Sequence, residues 1–370
     1  MVDVREHLGG KALFASAFYK FGDVILDEEP LLCLDRLERS PSSTMTDIWS
    51  HFKKLGDKKK ERMLNLFCPS DPDLREMDWH NDFFSSPSNT IVFGYDRVEE
   101  EARRFFAKHN DSTTVNELIR CFYIFSFNVT QYKGNKQAVF EFHARINHSC
   151  NPNSTFYAGR VRALKPIQPD ELITIAYLTS KFLMCPTHVR RELLHNKFLF
   201  ICHCTRCDEV IELCRTFRCP SCHRHSAVPG LSKLDQGGAM CGICDHVITE
   251  DAMPPFAALE ADAEKQVIKI EELLHRQSKP NDMPKLHRLH CNIVQNLGSC
   301  HWTAAFLTHI RYHNDPMSNG FITVEWGKSW AQWCKQAAPE QQWISDLANF
   351  AIGDGCNPDA LSPKNGHFSY

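Results

Sequence analysis

The cysteines constrain this chain more than any other feature. There are 17 in 370 residues, and eight of them (Cys33, Cys68, Cys121, Cys185, Cys291, Cys300, Cys334 and Cys356) stand apart and read as small apolar side chains in a core. The rest crowd into spaced groups between 150 and 244. Cys219-Pro-Ser-Cys222 and Cys241-Gly-Ile-Cys244 are two C-x2-C pairs with 18 residues between them. Each pair sets two thiolates on a tight knuckle, and two knuckles supply the four ligands of tetrahedral zinc. Four sulfurs close such a site, so a metal there holds structure and leaves no open position for a reacting group.

Upstream, Cys202-His-Cys204-Thr-Arg-Cys207 offers three thiols, one short of a closed site. Cys150 is a candidate for the fourth; Cys214, His203, His223 and His225 compete for the place. Cys150 stands in RINHSCNPN (145–153), where Asn147, His148 and Ser149 crowd against it between the apolar runs AVFEF and RVRALKPI. A turn accounts for Asn-Pro-Asn and leaves the other residues unexplained. A metal gripped by Cys150 would account for the cysteine and contribute directly to folding stability. Zinc hydrolase chemistry is disfavoured, because the sequence has no His-Glu-x-x-His and no His-rich set to hold an activated water.

Such cysteine density suits metal in a reducing compartment. No apolar run is as long as a membrane span, the first residues MVDVREHLGGKALF lack a signal-peptide core, and the last, GHFSY, form no lipidation box. The expectation is an intracellular protein, nuclear or cytoplasmic, with no membrane association. A formal net charge of -3 gives no overall nucleic-acid footprint. The run Lys58-Lys59-Lys60 reads as a solvated helix face. The chain is long enough for two or three substructures.

Residues 10–32 hold two short apolar runs around Phe21-Gly22-Asp23, a pattern of strands joined by a turn, with Pro30 ending the regular pairing. From about 44 to 127 the pattern is helical and charged. Thr114 and Glu117 form a possible capping box, opening a helix whose Leu118, Ile119, Phe122 and Phe125 recur at helical spacing and read as core. Strand character returns at 138–142, 160–164 and 171–177, with Pro166 and Pro169 marking turns. A short basic helix follows Pro186. Beyond about 255 the pattern alternates helices and loops.

With these parts in order, the chain resembles the SET-domain lysine methyltransferases. The matching motifs are NHSCNPN (147–153), DELITIAY (170–177) and Cys202-x-Cys204-x2-Cys207, preceded by GGKALFASAFYKFGDVILDEEPLL. It is most similar to the SET-and-MYND subfamily and to its relatives without the MYND finger. The resemblance covers about residues 5–208 and extends loosely to a C-terminal helical domain. It implies an α+β fold of small curved sheets with a helical insert, cysteine-rich zinc segments and an all-helical C-terminal domain. The implied divisions are 1–45 and 128–180 for the SET parts, 46–127 for the insert, 181–208 for the post-SET segment, 209–250 for a zinc ribbon and 251–370 for the helical domain.

By this resemblance Tyr177 is the catalytic tyrosine. Gly10, Lys11, Asn128, Asn147, His148 and Phe200 would contact S-adenosylmethionine, and Phe198 would line the lysine channel. Cys150, Cys202, Cys204 and Cys207 match a zinc set, beside the ribbon set of Cys219, Cys222, Cys241 and Cys244, which makes two structural zincs. The substrate implied is a protein with an accessible lysine, histone or other. Three departures stand out. Between Cys33 and Cys121 only Cys68 is present, so no MYND finger is encoded there. The usual Gly-Arg-Gly is Gly10-Lys11-Ala12, which exchanges a forked guanidinium for a point charge. The usual tyrosine at 198 is phenylalanine, which removes a hydroxyl from the channel and bears on the number of methyl groups added. The rival expectation is an inactive SET-like scaffold whose zinc segments and helical tail bind partners.

Overall fold

The computed structural model describes residues 2–314 except for 9, 36–40, 77–94, 108–111, 134–135, 158, 179, 210–211, 213, 230–237, 277–282 and 299–300. These residues divide into two compact units, one built from Met1–Thr179 with Leu193–Ile201, the other from Ser180–Glu192 and the chain from Cys202 onward.

The first unit holds four small sheets. Strands β1 (Val2–His7) and β2 (Gly10–Ala15) form a hairpin. β3 (Val24–Asp27) and β4 (Leu32–Leu34) follow. Among the described residues five helices come next: α1 (Pro41–Lys53), α2 (Asp57–Leu64), α3 (Asp71–Glu76), α4 (Tyr95–Phe106) and α5 (Ser112–Asn128). β5 (Val129–Tyr132), β6 (Lys136–Val139), β7 (Asn147–His148), β8 (Ser154–Tyr157), β9 (Arg160–Ala163) and β10 (Thr174–Ile175) complete it. β3, β9 and β8 make one antiparallel sheet, β4, β6 and β5 another, and β7 pairs with β10 in parallel. Alternation sets the faces: along β9 Arg160 and Arg162 are exposed while Val161 and Ala163 are buried. Gly159 turns β8 into β9 at a φ of +92°, where a side chain would also press on the Glu28 carbonyl and the Tyr132 ring, each 3.2 Å from its Cβ.

Two hydrophobic clusters lie within this unit. One, under the sheets, gathers Leu13, Ile25, Phe140, Phe156, Val161, Ile173 and Ile175. The other is helical, and α5 is its axis: Leu118, Ile119, Phe122 and Phe125 are buried as their spacing predicts. Cys121, Tyr123 and Ile124 are buried too, so the middle of α5 is covered on every side. α4 meets it with Tyr95, Val98, Ala102 and Phe106, keeping Glu99–Arg103 and Glu100–Arg104 pairs in water. α5 begins at Ser112, so Thr114 lies inside its first turn and the Thr114–Glu117 pair does not stand at its start.

Two strand expectations are shortened. β6 stops at Val139, because the Phe142 and His143 amides donate to the Glu28 carboxylate and seed a 3₁₀ turn at His143–Arg145. The stretch 171–177 keeps only two residues of regular pairing, since its amides find other acceptors: Ile173 donates to the Leu13 carbonyl, Thr174 to Asn153 Oδ1, and Tyr177 to the His148 ring.

The chain continues through α6 (Ser180–Leu183), α7 (Thr187–Phe198) and α8 (Thr205–Asp208). α7 follows Pro186 as expected, the Pro186 carbonyl accepting from Arg190 N. In the second unit β11 (Phe217–Arg218), β12 (His225–Pro229), β13 (Ala239–Cys241) and β14 (Val247–Ile248) form an antiparallel sheet. Helices α9 (Pro254–Arg276), α10 (Met283–Asn296) and α11 (Trp302–Asn314) follow and pack together. The region beyond 255 is thus helical as far as it is described; Cys300, Cys334 and Cys356 lie outside the described residues. Among the described residues no helix is long and apolar enough to cross a membrane.

Candidate functional site

Tyr177 lies just past β10, and one short stretch of chain holds both its ends. Its hydroxyl donates to the Ile146 carbonyl at 2.6 Å, and its backbone N–H donates to His148 Nδ1 at 2.9 Å. Burial pushes the phenol well above its ordinary range, so the hydroxyl stays protonated. With its proton committed to Ile146, the oxygen faces any further partner as an acceptor.

Phe198 and Phe200 flank this tyrosine. The Tyr177 and Phe198 ring centroids are 4.9 Å apart, and Phe200 meets Tyr177 edge-on at 6.3 Å and His148 at 5.9 Å. They converge from the end of a helix. Phe198 is the last residue of α7, and Leu199 caps the helix in the left-handed region (φ 62°), its amide donating to the His195 carbonyl at 2.9 Å. The reversal brings both rings to Tyr177. On the Phe198 face rests the Lys197 ammonium, 5.1 Å from the ring centroid, and burial lowers its pKa to about 8.

Asn147 and His148 form β7, opposite Thr174 and Ile175. The half-buried Asn147 amide makes no hydrogen bond among the described residues, which leaves two donors and an acceptor for a ligand. Gly10 and Lys11 are exposed and open β2, paired with His7 and Glu6, at the turn end of the hairpin. Further along the same strand, Leu13 and Ala15 bond the 171–173 segment that leads to Tyr177. Asn128 ends α5, and its amide nitrogen donates to the Phe67 carbonyl at 2.8 Å and the Ile124 carbonyl at 2.7 Å. Only its oxygen remains to meet anything else.

Sequence reasoning missed Asn153. It is buried rather than a surface turn residue, and its amide clasps the 171–174 segment: Nδ2 donates to Glu171 Oε1 and the Leu172 carbonyl, while Oδ1 accepts from Thr174 N at 2.8 Å. The position of a second asparagine after the proline was the signal, read as turn chemistry.

Two cysteine clusters could hold metal. In the ribbon the sulfurs of Cys219, Cys222, Cys241 and Cys244 all lie within 4.8 Å of one another. Both knuckles repeat one geometry. Cys219 N donates to the Arg224 carbonyl and His223 N to the Cys219 carbonyl; Cys241 N donates to the His246 carbonyl and Asp245 N to the Cys241 carbonyl. His223 and Asp245 take left-handed backbone at φ 59° and 54°. Four soft sulfurs at this spacing suit tetrahedral zinc.

The second cluster holds Cys202, Cys204 and Cys207, equally close together. Two arginines brace it, and no motif announced them. Buried Arg190 places Nη2 3.4 Å from Cys207 Sγ. Arg191 donates to the Cys202 and Cys207 carbonyls and to Asp208. A buried guanidinium beside a sulfur favours the thiolate form that metals bind. Among the described residues Cys214, His203 and His223 join neither cluster, and burial pushes the Cys214 thiol up to about 11; the His225 side chain lies outside them. Cys150 is fully buried in the first unit, with His148 Nε2 3.3 Å from its sulfur.

Known proteins resemble parts of this chain. Residues 10–178 match the SET domain family. N-lysine methyltransferase SMYD2-A of Danio rerio is 30% identical over 143 residues, covering 36% of this chain and 32% of that protein. N-lysine methyltransferase SMYD2 of Gallus gallus is 38% identical over 74 residues, 19% of this chain and 16% of that one. The chain thus spans about a third or less of the length of the curated relatives it matches. The SET domain of LSMT, solved bound to lysine and AdoHcy, aligns with 99% of this chain and 86% of that chain at 13% identity and a TM-score of 0.33, too loose a likeness to carry an argument. Residues 10–178 thus match the SET domain family, and over part of its length the chain is homologous to the SMYD lysine methyltransferases.

Proposed function

We propose that this chain is a protein-lysine N-methyltransferase that uses S-adenosylmethionine and carries two structural zincs. One observation supports it above the others. The Tyr177 hydroxyl is fixed on the Ile146 carbonyl with its lone pairs free, among the rings of Phe198, Phe200 and His148. S-adenosylmethionine would supply the methyl group on a positively charged sulfur.

The chain's own residues prepare the other reactant. A lysine amine has a pKa of about 10.4 in water and cannot attack while protonated. An aromatic wall disfavours the ammonium by desolvation. Lys197 illustrates the effect: its ammonium, partly buried against Phe198, has a pKa of about 8. Tyr177 Oη then accepts an N–H of the amine and aims its lone pair, and positioning of this kind carries much of the rate. The same ring faces attract a sulfonium. The free Asn147 amide is the polar anchor for the cofactor, with Gly10, Lys11, Phe200 and the Asn128 oxygen as further contacts.

The ribbon zinc is held by Cys219, Cys222, Cys241 and Cys244. For the other zinc, Cys150 is the fourth ligand to Cys202, Cys204 and Cys207, supported by its burial and by the N–H aimed at its sulfur. The substrate is a protein with an accessible lysine, in the nucleus or cytoplasm.

Calorimetry of S-adenosylmethionine binding to zinc-loaded protein tests the reading, with Asn147→Ala as control. Saturable binding that the control loses supports the enzyme. No binding by folded, zinc-loaded protein would leave a SET-like scaffold for partners.

A further inference from the structure

We propose that His148 is a positioning residue that ties the Tyr177 backbone to the Cys150 sulfur, making the placement of the tyrosine depend on that sulfur. The inference rests on the methyltransferase reading only in giving Tyr177 a task; the link itself is geometric.

The Tyr177 amide can only donate, so His148 Nδ1 at 2.9 Å must be the acceptor. A neutral imidazole that accepts at one nitrogen carries its proton on the other. Nε2–H therefore points at Cys150 Sγ, 3.3 Å away. Both ring nitrogens are then in use, and no polar atom of the side chain remains for a cofactor. A contact with the cofactor would have to come from the ring face or the backbone of His148.

The local backbone explains why a side chain is needed. β7 and β10 pair over Asn147–Thr174 and His148–Ile175, and Ser149 N donates to the Ile175 carbonyl at 2.9 Å. Beyond that bond the chain runs on to buried Cys150, and among the described residues no strand pairs with Tyr177. The imidazole takes the place of the missing strand as the next acceptor. The Tyr177 hydroxyl is bonded to Ile146, so residues 146 and 148 hold its two ends. A shift of the Cys150 sulfur would rotate the ring and release one of them. A sulfur fixed by metal would hold the ring still, in the way outer partners of metal ligands are oriented.

The test uses the full chain labelled with ¹⁵N-tyrosine, the Tyr177 amide being assigned by its loss in Tyr177→Phe. His148→Ala should move that amide signal upfield and speed zinc release to a chromogenic chelator. With core histones as methyl acceptor it should lower kcat roughly tenfold or more, leaving the cofactor KM within about twofold. His148→Asn, whose carbonyl oxygen sits near the Nδ1 position but whose amide is too short for the sulfur, should restore the Tyr177 signal and kcat but not the slow zinc release. The proposal is overturned if His148→Ala leaves the Tyr177 amide and zinc release unchanged. It is also overturned if His148→Asn, with wild-type melting, rescues neither the signal nor kcat. A wild-type protein that binds no cofactor and transfers no methyl group would sink the methyltransferase reading alone, because the amide and zinc readouts judge the link without it.

Discussion

Glu260 grips Arg215 through two hydrogen bonds, 2.9 Å from Nε and 2.6 Å from Nη2, and accepts a third from the buried His301 at 3.1 Å. This cluster joins the segment before the ribbon to α9 and to the start of α11. Burial pushes the Glu260 acid up, but the bonds from His301 and Arg215 outweigh it and hold the carboxyl at about 2. Burial lowers the His301 pKa against the pull of Glu260. Both shifts act in the same direction. Each group is more easily protonated in the unfolded chain, so unfolding takes up protons and stability falls with pH. The His301 part is lost as pH falls below about 6.5, and the Glu260 part, about 3 kcal/mol, between about 4.5 and 2. Melting by calorimetry from pH 7 to 3 should show this decline. Glu260→Gln should lower stability by about 3–5 kcal/mol at pH 7 by stranding Arg215, and should flatten the slope below 4.5. An unchanged slope would mean that the carboxylate is not the group responsible.

Zinc content checks the two clusters separately. Elemental analysis should find about two zincs per chain, one for each closed thiol set. Cys241→Ser should reduce this to about one and lower ellipticity from the ribbon strands; Cys150→Ser should also remove one, from the other site. Retention of both zincs by Cys150→Ser would remove Cys150 from the ligand set.

Tyr177→Phe should bind S-adenosylmethionine as the wild type does and lose roughly 100-fold in methyl transfer, because only the orienting oxygen is gone. Phe198→Tyr adds a hydroxyl to a ring whose centroid lies 4.9 Å from that of Tyr177, filling space beside the amine. Mass spectrometry of its products should show fewer methyl groups per lysine than the wild type. A product pattern identical to wild type would mean that Phe198 is not in the channel wall.

Asn153→Ala strands the Thr174 amide and the Leu172 carbonyl it clasps. A cost of about 2 kcal/mol follows from two buried groups losing a partner. Hydrogen exchange should quicken at 172–177 while the α5 core stays protected. Uniform loss of protection across the unit would argue against a local clasp.

What could be read in advance was whatever repeats at short range. Leu118, Ile119, Phe122 and Phe125 announce α5 because a helix brings neighbours at three and four residues onto one face. The C-x2-C pairs announce the ribbon because a knuckle closes within a few residues. Tyr177 and its motif neighbours were found by resemblance. The failures lie where a backbone group meets a side chain from far along the chain. Residues 171–177 alternate like a strand, yet Asn153 and His148, 21 and 29 residues back, take the bonds a strand would make. Arg190 and Arg191 looked like the charged face of a basic helix. Glu260, Arg215 and His301 are 45 and 41 residues apart, and no local pattern couples them.

The paired knuckles have a consequence for how the chain matures. His223 and Asp245 each hold a left-handed backbone that glycine would adopt freely, at about 1 kcal/mol apiece. Before metal arrives only the backbone bonds of the knuckles and weak contacts between their sulfurs act against that strain. The metal-free ribbon is then a spring held open, and a zinc bound by its four sulfurs would be the latch. A newly made chain would finish this segment only as fast as zinc reached it, so the fraction of ribbon folded at any moment would serve as a gauge of the metal available to the cell.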